Sequence, residues 1–91
     1  MGRCIVRQEL LRRTKVLKRY ENYGYRIAFY LLGDETFAVE ASLQALMELI
    51  EDDDFFHQTQ DDQKQQTKRV FMKHSLRVRA NHLRKTKRQH A

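Results

Sequence analysis

Turn-forming and cross-linking residues are scarce in this chain of 91 residues, which has no proline, three glycines and one cysteine. Proline and glycine mark most turns, and the sequence is instead rich in Leu, Arg, Lys, Gln, Glu and Ala, so an all-α fold is favoured over any sheet. Cys4 has no second cysteine with which to form an intramolecular disulfide, as is usual in a reducing compartment. The length suits a single helical domain over residues 1–91 with one small core.

Long apolar segments are also lacking. The longest apolar run, Ile27 to Leu32, has six residues, far fewer than the roughly 20 that cross a bilayer. The first residues contain no apolar stretch followed by a cleavage site, which argues against a secretion signal. We therefore expect a cytoplasmic protein with no membrane partner.

Residues that could carry catalysis or bind metals are present but poorly spaced. His74, His82 and His90 are separated by eight residues rather than three or four, so no two of them share a helical turn as metal ligands would. The consecutive aspartates of residues 52–54 lie in a polar stretch where nothing would desolvate one of them for acid-base work. No glycine-rich phosphate loop or nucleophile motif occurs. The sequence therefore predicts no enzyme activity, no metal site and no cofactor.

Charge is divided into blocks of one sign. Residues 1–33 carry eight Lys and Arg against two acids, residues 34–62 carry ten acids and no Lys or Arg, and residues 63–91 carry ten Lys and Arg and no acid, giving sums of +6, −10 and +10. Such blocks create directional fields that select partners. The alternative is that the blocks merely neutralise one another across the fold, although exposed ion pairs contribute only about 0–1 kcal/mol each.

Most of the apolar residues fall in residues 25–50, which we predict to be a helical hairpin broken at Gly33-Asp34-Glu35. Gly33 suits a left-handed helix C-cap, and Asp34 suits the N-cap of the next helix. After the break, an apolar stripe with spacings of four, three and four is expected to face the core. This stripe comprises Val39, Leu43, Leu46 and Ile50. A strip of small residues that would let another helix approach closely comprises Ala38, Ala41 and Ala45.

The remaining segments complete a predicted bundle of three to four helices. Residues 3–22 are predicted to form a basic amphipathic helix that packs on the hairpin. Tyr23-Gly24-Tyr25 is predicted to form a kink or short turn, because glycine weakens a helix. Residues 51–64 are predicted to be an acidic loop that can include a short turn of helix. Residues 65–88 are predicted to form a long basic C-terminal helix, whose apolar stripe covers the core and whose opposite face could contact phosphates.

The order of these segments resembles a known family. The stretch YRIAFYLLGDETFAVEASLQALMELIED, residues 25–52, is similar to part of region 2 of bacterial sigma-70-type RNA polymerase sigma factors, most of all the extracytoplasmic-function class. There, an apolar Tyr-Arg helix ends in Leu-Gly-Asp and a second helix follows. The closing HSLRVRANHLRKTKR, residues 74–88, is similar to the basic helix of that region. Together the motifs cover roughly residues 20 to 88, and the resemblance implies a region-2-like helical domain.

In that family, region 2 clamps a coiled coil of the polymerase beta-prime subunit and helps to melt the minus-10 promoter element. The resemblance therefore implies RNA polymerase as a partner and promoter DNA as a second one. The implied polymerase-binding residues are Glu40, Gln44 and Glu48. The implied nucleic-acid-binding residues are Lys73, Arg77, Asn81, Arg84 and Lys85. Phe55 and Phe56 could stack an unpaired base or, equally, anchor the loop on the core.

Two departures from the family define the alternatives. Leu43 stands where the family usually has glutamine, and no segment like region 4 follows. We therefore expect either a fragment, or a region-2-like protein that needs a second chain supplying region 4 or a regulatory partner, or one that has kept the fold and lost promoter recognition. One alternative is a small helical protein that binds nucleic acid without sequence preference through its basic helix. Another is a protein-protein adaptor that regulates a sigma factor.

Overall fold

A computed structural model describes the backbone of residues 6–90 and the side chains of residues 6–83. Over these residues the chain forms α1 (Arg7–Leu32), α2 (Glu35–Ile50) and α3 (Gln60–His90), with a short 3-10 helix at Asp53–His57 before α3. Each α-helix packs against the other two. Residues 6–90 contain no strand, so the all-α prediction is confirmed. Residues 3–5 of the predicted N-terminal helix lie outside the described residues.

The break between α1 and α2 is made by local hydrogen bonds, as the sequence predicts. Gly33 adopts a left-handed conformation with φ 66°, and its N–H donates to the Phe29 carbonyl at 2.7 Å. The Asp34 carboxylate accepts a hydrogen bond from the Phe37 N–H at 3.1 Å and so caps the first turn of α2. These two caps turn the chain back on itself, and α2 then runs along α1.

The face that α2 turns toward the core is a strip of small residues that ends at Leu49, which is also fully buried. Ala38, Ala41 and Ala45 have no exposed surface, and this strip lets α1 and α3 approach α2 closely. Val39 and Leu43 are exposed, so the prediction that they belong to the core stripe is wrong. Because α2 is apolar nearly all round, periodicity alone does not decide between two apolar faces. The face with the smaller side chains packs on the core because it lets the neighbouring helices come closer to α2.

Helix α1 runs without a break through Tyr23-Gly24-Tyr25, so the short turn, one of the two predicted alternatives, is absent. Gly24 is buried, and a Cβ placed on it would overlap the ring of Phe71, which is itself fully buried in α3. The glycine therefore provides a flat contact for an aromatic ring across the α1–α3 interface. Packing of this ring outweighs the roughly 1 kcal/mol that glycine costs a helix.

The acidic segment 51–64 is mostly helical, so the predicted loop is wrong, although the 3-10 helix at Asp53–His57 corresponds to the short helical turn that the prediction allowed. The Asp52 carboxylate accepts hydrogen bonds from N–H groups at the start of the 3-10 helix, and α3 begins about one turn earlier than predicted. Gln63 Nε2 donates to the Phe55 carbonyl at 3.0 Å, and the Tyr20 hydroxyl donates to Gln63 Oε1 at 2.8 Å. Polar side chains thus order a segment that contains few apolar ones.

Arg13 ties the end of α2 to α1 from a buried position. Its guanidinium donates to the Ile50 carbonyl at 2.8 Å, to Asp53 Oδ1 at 2.6 Å and to Glu9 Oε2 at 2.8 Å. The centroid of the Phe56 ring lies 4.9 Å from Arg13 Cζ, close enough for a cation–π contact. One side chain therefore satisfies a carbonyl at the C-terminus of α2 and holds the 3-10 helix in place.

Glu9 links the stability of this network to pH. Hydrogen bonds from Arg12 and Arg13 lower the pKa of the Glu9 carboxyl from its ordinary value of 4.5 to about 2. A carboxyl with a lowered pKa in the folded state stabilises the protein above its ordinary pKa, and this stabilisation is lost as the pH falls from 4.5 toward 2. Between about pH 6 and pH 3, we expect the urea midpoint to fall less in Glu9→Gln than in the wild-type chain. Equal falls would contradict this role for Glu9.

Candidate docking surfaces

The residues implied for polymerase binding do not form one exposed face. Glu40 is exposed. Gln44 Oε1, however, lies 3.2 Å from His74 Nδ1, and the Glu48 carboxylate lies 2.8 Å from both His74 Nε2 and Lys73 Nζ. These contacts join α2 to α3. Gln44 and Glu48 are therefore engaged by the basic helix, although the Glu48 side chain keeps 39% of its surface exposed.

The Glu48 carboxyl is the clearest point at which the acidic and basic blocks meet. Burial raises its pKa, but hydrogen bonds from Lys73 and His74 outweigh burial and hold the pKa below its ordinary value. Glu48 is therefore an anion paired with α3 at neutral pH. Part of the charge segregation thus serves neutralisation within the fold.

The two phenylalanines after α2 are not exposed to an unpaired base. Phe55 is fully buried, with its ring centroid 6.1 Å from that of Tyr20 in an edge-to-face contact. Phe56 is half-buried, and its ring packs edge-to-face on Phe55 at 5.0 Å and against the Arg13 guanidinium. The stacking prediction is wrong for Phe55, because a base could reach its ring only if the core opened. Anchoring on the core describes both residues.

The residues implied for nucleic-acid binding lie along α3, and only some are accessible. Arg77 and Asn81 are exposed and lie one turn apart. Lys73 is engaged in the ion pair with α2. The side chains of Arg84 and Lys85 lie outside the described residues. Arg77 and Asn81 therefore form the basic edge of α3, the part of the implied surface that the structure places on the outside.

An apolar groove runs along the hairpin between α1 and α2, and we call it the α1/α2 groove. One hollow, near the C-terminus of α2, has a volume of about 230 Å³, and a second hollow, nearer the hairpin turn, has a volume of about 270 Å³. Leu43 and Leu46 line both hollows, and Leu17 and Ile50 line the first. The groove therefore forms a continuous apolar channel along both helices.

One edge of the α1/α2 groove is a row of large exposed apolar side chains, which we call the α2 ridge. Val39, Leu43 and Met47 follow one another at four-residue spacing and expose 44%, 57% and 66% of their surface. A contiguous exposed apolar row of this kind marks an interaction surface. Within the groove, the Ser42 hydroxyl is buried and has no hydrogen-bond partner among the described residues.

The α1/α2 groove has the shape and chemistry of a site for a helix from another protein. An amphipathic helix laid along it would cover the α2 ridge. Lys18 and Glu21 line the α1 side of the groove and offer contacts of both signs. The groove thus combines an apolar centre with a charged edge, which is the usual anatomy of a protein-binding surface.

Two further searches concern only the part of the chain that the structure describes. No helix there is both long and apolar enough to cross a membrane. No group of three or more His, Cys, Asp and Glu side chains there is arranged to hold a metal ion.

The α2 ridge was missed by sequence reasoning because Val39 and Leu43 were assigned to the core. A signal was nevertheless present. The alanine strip and the ridge form rows on different sides of α2, so only one of them could face the core closely. The sigma-factor family that the sequence resembles usually has a polar glutamine at the position of Leu43. This difference also indicated that α2 could carry an exposed apolar side chain there.

Comparisons of the chain with protein-family models, with curated proteins and with solved structures found no match.

Proposed function

We propose that the protein is a sigma region-2-like transcription protein that docks on the beta-prime coiled coil of RNA polymerase through the α1/α2 groove. The observation that carries the proposal is the α2 ridge, formed by Val39, Leu43 and Met47. This ridge lies on the helix that resembles the family's polymerase-binding helix. A coiled coil offers an elongated helical surface, which fits a groove that runs along two helices.

Leu43 makes the centre of the proposed polymerase contact apolar. With leucine in place of the family's usual glutamine, the contact is apolar at its centre, while Lys18, Glu21 and Glu40 supply charge around it. Buried apolar and aromatic groups at the centre of an interface contribute most of the affinity, and charges at its rim steer and orient the partner. The proposed partner surface therefore carries apolar side chains opposite Leu43 and Met47.

Affinity for the beta-prime coiled coil tests this proposal. A labelled coiled-coil fragment is titrated with the wild-type chain and with Leu43→Asp, and binding is followed by fluorescence anisotropy. Because Leu43 is exposed, its replacement should leave the fold intact. We expect Leu43→Asp to weaken binding about tenfold, equivalent to about 1.4 kcal/mol.

The matched control is Leu76→Asp, which places the same charge at a similarly exposed leucine on α3. This variant should bind like the wild-type chain. An absence of binding by the wild-type chain, or equal weakening in the two variants, would overturn the proposal.

The basic edge of α3 supports a second candidate function, binding of promoter DNA at the minus-10 element. Arginine contacts phosphates and asparagine contacts base edges, and Arg77 and Asn81 are both exposed. Affinities for minus-10 and scrambled single strands, measured at two salt concentrations, distinguish the alternatives. Equal affinities would favour a nucleic-acid-binding protein without sequence preference. An absence of binding to either strand would favour an adaptor that contacts proteins alone.

A further inference from the structure

A second groove lies on the other side of α1, between α1 and α3, and we call it the α1/α3 groove. Its hollow has a volume of about 430 Å³. The α1 wall carries Tyr23, Arg26 and Tyr30, and the α3 wall carries Lys68 and Met72. A neighbouring hollow of about 540 Å³ shares Arg26 and Tyr30, so these two side chains stand between two concave surfaces.

The charged side chains that line the α1/α3 groove are cationic. Arg26 and Lys68 line the hollow, and no Asp or Glu of the described residues does so. At one end, Lys64 Nζ lies 5.1 Å from the centroid of the Tyr23 ring. Glu35 borders only the neighbouring hollow. The surface of the hollow itself is apolar, and its two cationic side chains are Arg26 and Lys68, so the groove suits a ligand that has both flat apolar faces and negative charge.

Tyrosine rings supply flat faces beside these cations. Tyr30 is 87% exposed, an unusual position for a ring that would gain free energy from burial. Tyr23 and Tyr30 are seven residues apart on one side of α1, which places them about 10 Å apart along the helix axis. Aromatic rings interleaved with Arg and Lys form the combination that binds unpaired bases by stacking and phosphates by charge.

We propose that the α1/α3 groove binds single-stranded nucleic acid without sequence preference. Bases stack on Tyr30 and Tyr23, and Arg26 and Lys68 hold the intervening phosphates. One nucleotide does not reach two rings that lie about 10 Å apart, whereas a strand of several nucleotides does. A duplex keeps its bases stacked on one another and offers the tyrosines no free face.

This site goes beyond the proposed docking function and is independent of it. It lies across α1 from the α1/α2 groove, and its occupancy requires no polymerase. It also differs from the basic edge of α3, because Arg77 lies on the α2 side of α3 whereas Lys68 faces α1. The two nucleic-acid surfaces can therefore be separated by substitution.

Anisotropy of a labelled oligothymidylate of about 12 nucleotides, a length within the site sizes of small single-strand-binding domains, tests the site. Tyr30→Ala should weaken binding about tenfold, because the ring stacks a base. The double variant Arg26→Gln with Lys68→Gln removes two phosphate contacts. The slope of log affinity against log salt should then become shallower by about 1.4, or about 0.7 for each contact.

The charge-matched control is Arg7→Gln with Arg69→Gln, which removes two cations from exposed positions that belong to neither proposed nucleic-acid surface. Its salt slope should change much less. Equal changes of slope in the two double variants would show that binding follows net charge alone and would overturn the site. Unchanged affinity in Tyr30→Ala would overturn it as well.

Two competitors and one reporter complete the experiment. A duplex of the same length and free thymidine monophosphate should both compete poorly, and equal competition by either would overturn the single-strand assignment. Met72 lines the groove, so its methyl NMR signal should shift when the oligothymidylate is added. A Met72 signal that stays in place at saturation would contradict the proposed location.

Discussion

Replacing Arg13 with alanine should lower the free energy of unfolding by about 2–4 kcal/mol, the largest effect we expect from a single substitution in this chain. The guanidinium is buried and donates to Glu9, to the Ile50 carbonyl and to Asp53. Its removal takes away the partner of that carbonyl and the cation that both carboxylates share. The end of α2 then loses its tie to α1, and the α1/α2 groove loses part of the frame that holds it.

Urea denaturation followed by circular dichroism measures this effect. The matched control is Arg12→Ala, since Arg12 also bonds to Glu9 but is exposed and does not reach α2. Arg12→Ala should lower the free energy of unfolding by only a small part of the amount that Arg13→Ala lowers it. Arg13→Lys keeps the charge but loses the forked arrangement of N–H donors. Its loss in the free energy of unfolding should lie between those of Arg12→Ala and Arg13→Ala. A loss in Arg13→Ala no greater than in Arg12→Ala would contradict this role for the network.

The second large effect is expected at Gly24, where alanine should lower the free energy of unfolding by about 1–3 kcal/mol. Helix propensity alone predicts the opposite sign, because alanine is about 1 kcal/mol better than glycine in a helix interior. The difference is the Phe71 ring, which a Cβ at residue 24 would overlap. The sign of the change in the free energy of unfolding therefore distinguishes two roles for Gly24. A gain in stability would mean that the glycine only weakens α1, and a loss would mean that it makes room for the Phe71 ring.

A double-mutant cycle with Phe71→Leu assigns the effect to this contact. Phe71→Leu alone should destabilise the protein, because the ring is fully buried. In that background there is room for the Cβ, so Gly24→Ala should cost little or become stabilising. The two substitutions should thus be coupled by about 1–3 kcal/mol. Strictly additive changes would contradict the proposed contact between Gly24 and the ring.

Local chemistry made one part of the fold predictable. Gly33 and Asp34 act within a few residues of themselves, as a left-handed C-cap and a side-chain N-cap, and the structure confirms both. The scarcity of proline and glycine also correctly favoured helices over strands, as residues 6–90 show. These features depend on neighbours along the chain, and a single sequence displays those neighbours directly.

Other parts depend on residues that are distant in sequence. Arg13 meets Ile50 and Asp53, which are 37 and 40 residues away, and no spacing rule connects them. Gly24 has the pattern of a helix breaker until Phe71 is placed against it. Periodicity describes one helix at a time, so it does not reveal which partner a side chain will meet.

The candidate site shows the same limit. The resemblance implied that Gln44 and Glu48 are exposed polar contacts, but α3 places His74 and Lys73 against them. With these two residues engaged and the alanine strip buried, Val39, Leu43 and Met47 are left outside. The outer face of α2 is therefore the α2 ridge beside Glu40, where the sequence had predicted an acidic face.

The two grooves flank α1 on different sides, so the proposed protein partner and the proposed nucleic-acid strand would not compete for one surface. The contacts that set their widths are the two with the largest expected effects. Arg13 fixes the end of α2 beside α1, and Gly24 sets the distance between α1 and α3 through Phe71. Stability and binding in this chain thus depend on the same interfaces.

Methyl NMR of labelled methionine tests most directly the central claim, that the α1/α2 groove binds the polymerase coiled coil. The chain has three methionines, of which Met47 belongs to the α2 ridge and Met72 lines the α1/α3 groove. Addition of the beta-prime coiled coil should shift or broaden the Met47 signal and leave the Met72 signal in place. A coiled coil that binds while moving only Met72, or that leaves both signals unchanged at saturating concentration, would contradict the claim.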